Sequence, residues 1–180
     1  MDILKFASTV GKLKKVKRSG WVKWKVPNSE SIADHIFRVA VLTMVLAPKK
    51  GLNKDKAVKM ALVHDLGESI VGDLILVGKF TNVKAIDKTN KELAGIKELF
   101  SSIDSPQEYQ QLFQEYEETK TPEAKFVKQI DILEMLLQAA EYENESKVNL
   151  SNYFETSQGK ITDSKLLNFL QEIEELRPKK

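Results

Sequence analysis

The sequence predicts an all-α fold, and three observations carry that expectation. Only five of the 180 residues are proline and eight are glycine, so helix breakers are few. Between them Leu, Lys, Glu and Ala dominate, the residues that lose least on entering a helix. Apolar positions recur three and four residues apart, and no stretch alternates as a half-buried strand would.

A first helix is expected over residues 2 to 16, stopping near Ser19 and Gly20. Residues 20 to 29, GWVKWKVPNS, read as a loop, with Pro27 blocking helix and Ser29 or Ser31 available as a cap. The second helix, 31 to 47, aligns Ile32, Ile36, Val39, Ala40, Thr43 and Leu46 on one face, then meets Pro48 and a turn at Gly51. A third, 54 to 66, carries Ala57, Met60, Ala61 and His64 on one stripe, and Gly67 and Gly72 loosen the chain just beyond it. Two more helices fall at 83 to 101 and 107 to 119. A long one spans 122 to 143, opened by Thr121-Pro122-Glu123, a cap residue with proline in the first turn. An amphipathic last helix covers 162 to 176 and ends before Pro178.

The length is that of one domain, 1 to 180. A hydrophobic share of 42% beside 30% charged residues is that of a soluble chain with a real core. No apolar run approaches the roughly 20 residues of a membrane span. The N-terminus, MDILKFASTVGKLKK, lacks the pattern of a cleavable signal, so a cytoplasmic protein without membrane partners is expected. There is no cysteine, which removes disulfides, thiolate nucleophiles and cysteine-ligated zinc together.

The chain has two histidines, and their settings match. His35 lies three residues after Ile32 and four before Val39; His64 lies four after Met60. Both point toward the core. Either alone reads as a core histidine with a hydrogen-bond partner. Carboxylates change the balance: Asp34 and Asp65 flank the histidines, and Asp131 falls four residues after Val127 and four before Met135. A buried, unpaired carboxylate is costly, so an inward aspartate calls for a cation beside it. One divalent ion would satisfy inward histidines and acids together. Such donors suit Zn, Mn, Fe, Co or Ni, with Mg also compatible with the carboxylates, and select none of them.

The order SIADHIFRVA, ALVHDLGESIVGDL, KFVKQIDILEM contains H, then HD, then D, with HDxxExxxGD inside the second block. This resembles the HD-domain phosphohydrolase superfamily, and most nearly its small 5'-deoxynucleotidase branch. The similarity extends from RSGWVKW through ESIADH and HDLGESIVGD to EAKFVKQIDILEMLLQAAEYE. It implies a helical bundle around a single divalent metal, held by His35, His64, Asp65 and Asp131. It implies that Glu68 orients or deprotonates the attacking water, that Arg18 clamps phosphate, that Trp21 packs against the nucleoside and that Asp73 faces the sugar. The implied reaction is hydrolysis of deoxynucleoside 5'-monophosphates to nucleoside and phosphate, by a homodimer with no organic cofactor.

Two features depart from the family's commoner patterns. Arg18 and Trp21 are separated by Ser-Gly, which makes Trp24 a rival for the stacking position, and LILVGKFTNVKAIDK comes after Asp73 where many relatives have proline. That apolar run reads as a substrate lid or an oligomer contact. Arg38, three residues after His35, reads as an ion pair near the site.

Residues 1 to 25 hold eight Lys or Arg against one Asp, leaving about −5 on the remainder of a chain with net charge +2. Such a run is usually a solvated face. A competing functional reading is a nucleic-acid patch with tryptophan platforms, which would bind in a salt-sensitive way and survive Asp131→Ala. The residues also admit an HD phosphohydrolase for cyclic nucleotides, nucleoside triphosphates or an alarmone, and a helical interaction protein with a vestigial site. The absence of a Gly-rich phosphate loop argues against ATP as a driver.

Overall fold

A computed structural model describes residues 2–74 and 85–178. Ten α-helices are present among them: α1 (Ile3–Val10), α2 (Ser19–Lys23), α3 (Ile32–Leu46), α4 (Lys54–Val63), α5 (Glu68–Val71), α6 (Ala85–Phe100), α7 (Pro106–Glu118), α8 (Pro122–Ser146), α9 (Ser151–Ser157) and α10 (Ser164–Leu176). The described residues hold no strand, only an isolated antiparallel bridge between Lys17 and Ser31. The all-α expectation therefore stands. The stretch 75–84, which includes most of the apolar run after Asp73, lies outside the described residues.

Side-chain caps set five of the helix starts. Asp2 caps α1, and Asn53, Thr121 and Asp163 cap α4, α8 and α10 with their side-chain oxygens. Ser31 and Asp34 form a reciprocal capping box at α3: Ser31 accepts from the Asp34 amide, and Asp34 accepts from the Ser31 amide at 2.8 Å. Asp34 is thus exposed and committed to the cap, not directed inward beside its neighbouring histidine.

Helices α3, α4 and α8 form the centre, with α7 and α10 packed on it and α6 lying against α5 and α7. Their shared core holds Val39, Met60, Val127, Ile130, Leu133 and Leu136, all essentially buried. The long helix α8 is buried on several faces, so its charged residues must find partners inside the bundle.

Four expectations need correction. Residues 2 to 16 are not one helix: α1 stops at Val10 and a 3-10 turn, Gly11–Lys14, comes next. The loop expected at 20 to 29 begins with helix α2, whose short length gives it little intrinsic stability. Burial of Trp21 and a hydrogen bond from the Ser19 amide to Asp73 Oδ2, 2.5 Å, hold it in place. The third helix ends at Val63, and residues 64–67 turn before α5. Helix α9 falls where the sequence predicts none.

Gly67 acts differently from the loosening role its composition suggests. Its φ of −58° suits any residue. A Cβ there would lie 2.6 Å from the Glu92 carbonyl oxygen, and one on Gly95 would lie 2.6 Å from the Gly67 carbonyl oxygen. The two glycines let α5 and α6 meet backbone to backbone, which fixes Glu68 at the next position. Gly72, at φ 74°, does need glycine's conformational range and turns the chain toward Asp73.

Candidate active site

The first turn of α3, the C-terminal end of α4 and the middle of α8 bring two imidazoles and two carboxylates together. His35 Nε2 lies 3.3 Å from His64 Nε2, 3.2 Å from Asp131 Oδ1 and 3.7 Å from Asp65 Oδ2. His64 Nε2 is 3.4 Å from that same Asp65 oxygen. Donor atoms of His35, His64 and Asp131 all fall within 4.8 Å of one another. The turn after Val63 lets His64 and Asp65 both face the cluster, whereas successive positions on a continuing helix would point about 100° apart.

Each ring is oriented from behind. His64 Nδ1 donates to the Ala61 carbonyl at 2.7 Å, and His35 Nδ1 lies 2.5 Å from Glu134 Oε2. A carbonyl and an ionised carboxylate only accept, so a neutral ring in either place carries its proton on Nδ1 and turns the Nε2 lone pair inward. Two such lone pairs facing at 3.3 Å repel unless one ring takes up a further proton or a metal ion lies between them. Metal bonds of about 2.0–2.2 Å place adjacent donors about 3.0–3.5 Å apart. The donor set therefore fits one divalent ion, with nitrogen and oxygen ligands that do not distinguish among the transition metals.

A cavity of about 460 Å³ opens beside this cluster, lined in part by Arg18, Trp21, Asp65, Glu68, Asp73 and Asp131. Glu68 is 1% exposed, and its Oε2 has no hydrogen-bond partner among the described residues. Burial, then the charges of Asp65 and Asp73, hold its carboxyl well above the usual carboxylate range. Arg18 points a guanidinium nitrogen to within 3.4 Å of Asp65 Oδ2. Asp131 is steadied by Tyr116, whose hydroxyl donates to Oδ2 at 2.6 Å, leaving Oδ1 toward His35. Burial and the neighbouring Asp131 charge push the Tyr116 hydroxyl well up, so it remains a donor.

Trp21, not Trp24, lines the cavity, yet it is only 1% exposed. Its ring lies 4.6 Å from that of Tyr153 and meets Tyr142 edge-on at 5.6 Å, and its Nε1 donates to Glu30 Oε1 at 2.9 Å. Trp21 therefore offers no open stacking face for a run of bases, while Trp24 is half-buried against the core. Asp73 reaches the cavity wall while one carboxylate oxygen holds the Ser19 amide. Arg38 turns away from the cluster to pair with Glu134 and Glu141 on α8.

Several lining residues have no signature in the sequence. Lys88, Thr89 and Glu92 reach the cavity from α6, Glu117 and Tyr116 from α7, and Tyr153 from α9. Burial, opposed by Lys88 at 3.0 Å, raises the Glu92 carboxyl to about 7. No periodicity could reveal these residues, because only helix packing brings them to the cavity. Glu134, behind His35, does have a signal: it lies one turn beyond Asp131 on the same helix.

The HD domain family model matches residues 10–174. A curated 5'-deoxynucleotidase HDDC2 from Bos taurus is 40% identical over 177 residues, covering 96% of this chain and 84% of the relative. Its Dictyostelium discoideum counterpart is 42% identical over 174 residues, covering 89% and 90%. Among solved structures, a protein from Pyrococcus horikoshii superposes with a TM-score of 0.80 at 36% identity, covering 97% of this chain and 99% of that one. A conserved hypothetical protein from Pyrococcus furiosus gives 0.76 at 38%, covering 96% and 98%.

Proposed function

The chain belongs to the HD-domain family, and on that premise we propose that it is a metal-dependent 5'-deoxynucleotidase, releasing phosphate from deoxynucleoside 5'-monophosphates. The observation that carries the reading is the joining of the His35, His64 and Asp131 donor group to a cavity that also holds Glu68 and Arg18. Curated relatives that bear this activity in their names, at about 40% identity over nearly the whole chain, supply the substrate class.

His35, His64, Asp65 and Asp131 would hold one divalent ion. When bound, the ion supplies Lewis acidity that eases deprotonation of water and offsets phosphate charge. Arg18 binds the phosphate oxygens and supports the charge that builds on them. Glu68 takes a proton from the water whose oxygen attacks phosphorus, and as the P–O5' bond breaks O5' takes up that proton and the nucleoside leaves. A buried carboxyl with one oxygen unpartnered is suited to receive and return that proton. Asp73 faces the sugar side of the cavity, and Trp21 closes the wall next to it.

The test is phosphate release from deoxynucleoside monophosphates and their ribose counterparts, with Mn, Co or Mg added in turn. Preferential turnover of the deoxy series is expected. Equal rates for both series would count against the sugar assignment, and no phosphate with any ion would end the catalytic reading.

The proposal includes a homodimer. Helix α3 exposes Phe37, Val41, Met44 and Val45, spaced i, i+4, i+7 and i+8, an uncharged stripe that a second copy could cover without stranding a charge. Light scattering should give twice the chain mass, falling to the monomer in Phe37→Glu. A monomeric wild type would overturn this part.

A further inference from the structure

Glu134 and Arg38 lie behind the metal-facing cluster and take no part in the chemistry described above. His35 is wholly buried between them and the cluster. One ring nitrogen faces His64 and Asp131; the other faces Glu134 Oε2. The second Glu134 oxygen accepts from Arg38 Nε at 2.8 Å. The remaining guanidinium nitrogens are held by Glu141 at 2.8 Å and Gln138 at 2.7 Å, so one cation spans about two turns of α8.

We propose that Glu134 is a positioning residue that fixes the tautomer and ring angle of His35, with Arg38 anchoring Glu134 through its second oxygen. The proposal rests on reading His35 as a metal ligand. His64 receives its orientation from a backbone carbonyl, which no substitution can remove, whereas His35 depends on a side chain. A buried carboxylate is costly without a cation, and the Arg38 guanidinium supplies one while its other edge reaches solvent.

Glu30, His35 and Glu134 also bring donor atoms within 4.8 Å of one another, which raises the competing reading of a second ion on the Nδ1 side. The partners already present oppose it. Both Glu134 oxygens are taken, Glu30 Oε1 accepts from Trp21, and a guanidinium stands where an ion would feel its charge.

Glu134→Gln is the informative change because it preserves shape. The amide has one accepting oxygen for two donors, His35 Nδ1–H and Arg38 Nε–H. If that oxygen turns to Arg38, the amide nitrogen faces His35 and favours the tautomer with its proton on Nε2, where the ion must bind. Substitution of groups that orient metal-binding histidines typically lowers affinity by about 10- to 100-fold.

The experiment titrates the full chain with Co²⁺ and reads its visible absorption, beside thermal midpoints. Imidazole ¹⁵N spectra of the Zn²⁺-loaded protein complete it; the chain has only two histidines, so both rings can be followed. Glu134→Gln and Glu134→Ala should weaken Co²⁺ binding by about 10- to 100-fold, with the His35 Nδ1–H signal displaced and that of His64 in place. Arg38→Gln removes the cation from Glu134 and should weaken binding by roughly 10-fold, read on protein that its thermal midpoint shows to be folded. A folded Glu134→Gln variant that binds Co²⁺ within twofold of wild type, with an unmoved His35 signal, overturns the positioning role alone. Unchanged Co²⁺ binding in His35→Ala would remove the ligand reading and this proposal with it.

Discussion

Asp131→Ala is expected to strip the protein of its ion and reduce phosphate release by more than about 100-fold, beyond the loss usual for groups that only orient a ligand. The carboxylate stands at the centre of α8 with its two oxygens divided: Oδ2 accepts from Tyr116, and Oδ1 faces His35 Nε2 at 3.2 Å. Alanine removes the α8 donor and leaves the Tyr116 hydroxyl without its acceptor. His64 and Asp65 sit on one turn and His35 on α3, so the group loses the helix that closes it. Metal content after dialysis and phosphate release measured on the same sample decide the matter. A variant that retains a full complement of ion and normal turnover would show that Asp131 is not a ligand. Removing the ion from wild type with a chelator should reproduce the loss of turnover, and adding Mn or Co should restore it.

Glu68→Gln should separate binding from chemistry. Glutamine keeps the shape, and the backbone contact between Gly67 and Gly95 keeps the position. It cannot accept a proton as a carboxylate does. Turnover should fall by about 10²–10⁴-fold, the range for a lost general base, while metal content and KM stay near wild type. The environment makes this site suited to proton traffic: burial and two neighbouring aspartates hold the carboxyl above its usual range. A kcat within about threefold of wild type would reassign the proton to another group in the cavity.

Helix starts are legible where a short side chain accepts from the backbone a few residues on, as at Ser31 and Thr121-Pro122. Capping is local, so the sequence carries it in full. Two of the short helices are not legible: α9 has no side-chain cap, and α2 rests on the burial of Trp21 and on Asp73, 54 residues away from Ser19. Gly67 misleads for a related reason. Its glycine serves a neighbour on α6 and not its own dihedral angles.

By itself the sequence determined that the fold is helical, that any metal site must use histidine and carboxylate, and that its two histidines face inward. Periodicity and composition are enough for that, because a helix face is defined within a few turns of one chain segment. Only the tertiary structure decided which atoms meet. It enclosed Trp21 among tyrosines, brought α6 to the cavity and set Glu134 behind His35. Those pairings join residues far apart in the chain, 99 positions for His35 and Glu134 and more for Trp21 and Tyr153, and their distances depend on how helices pack, which no spacing along a single segment encodes.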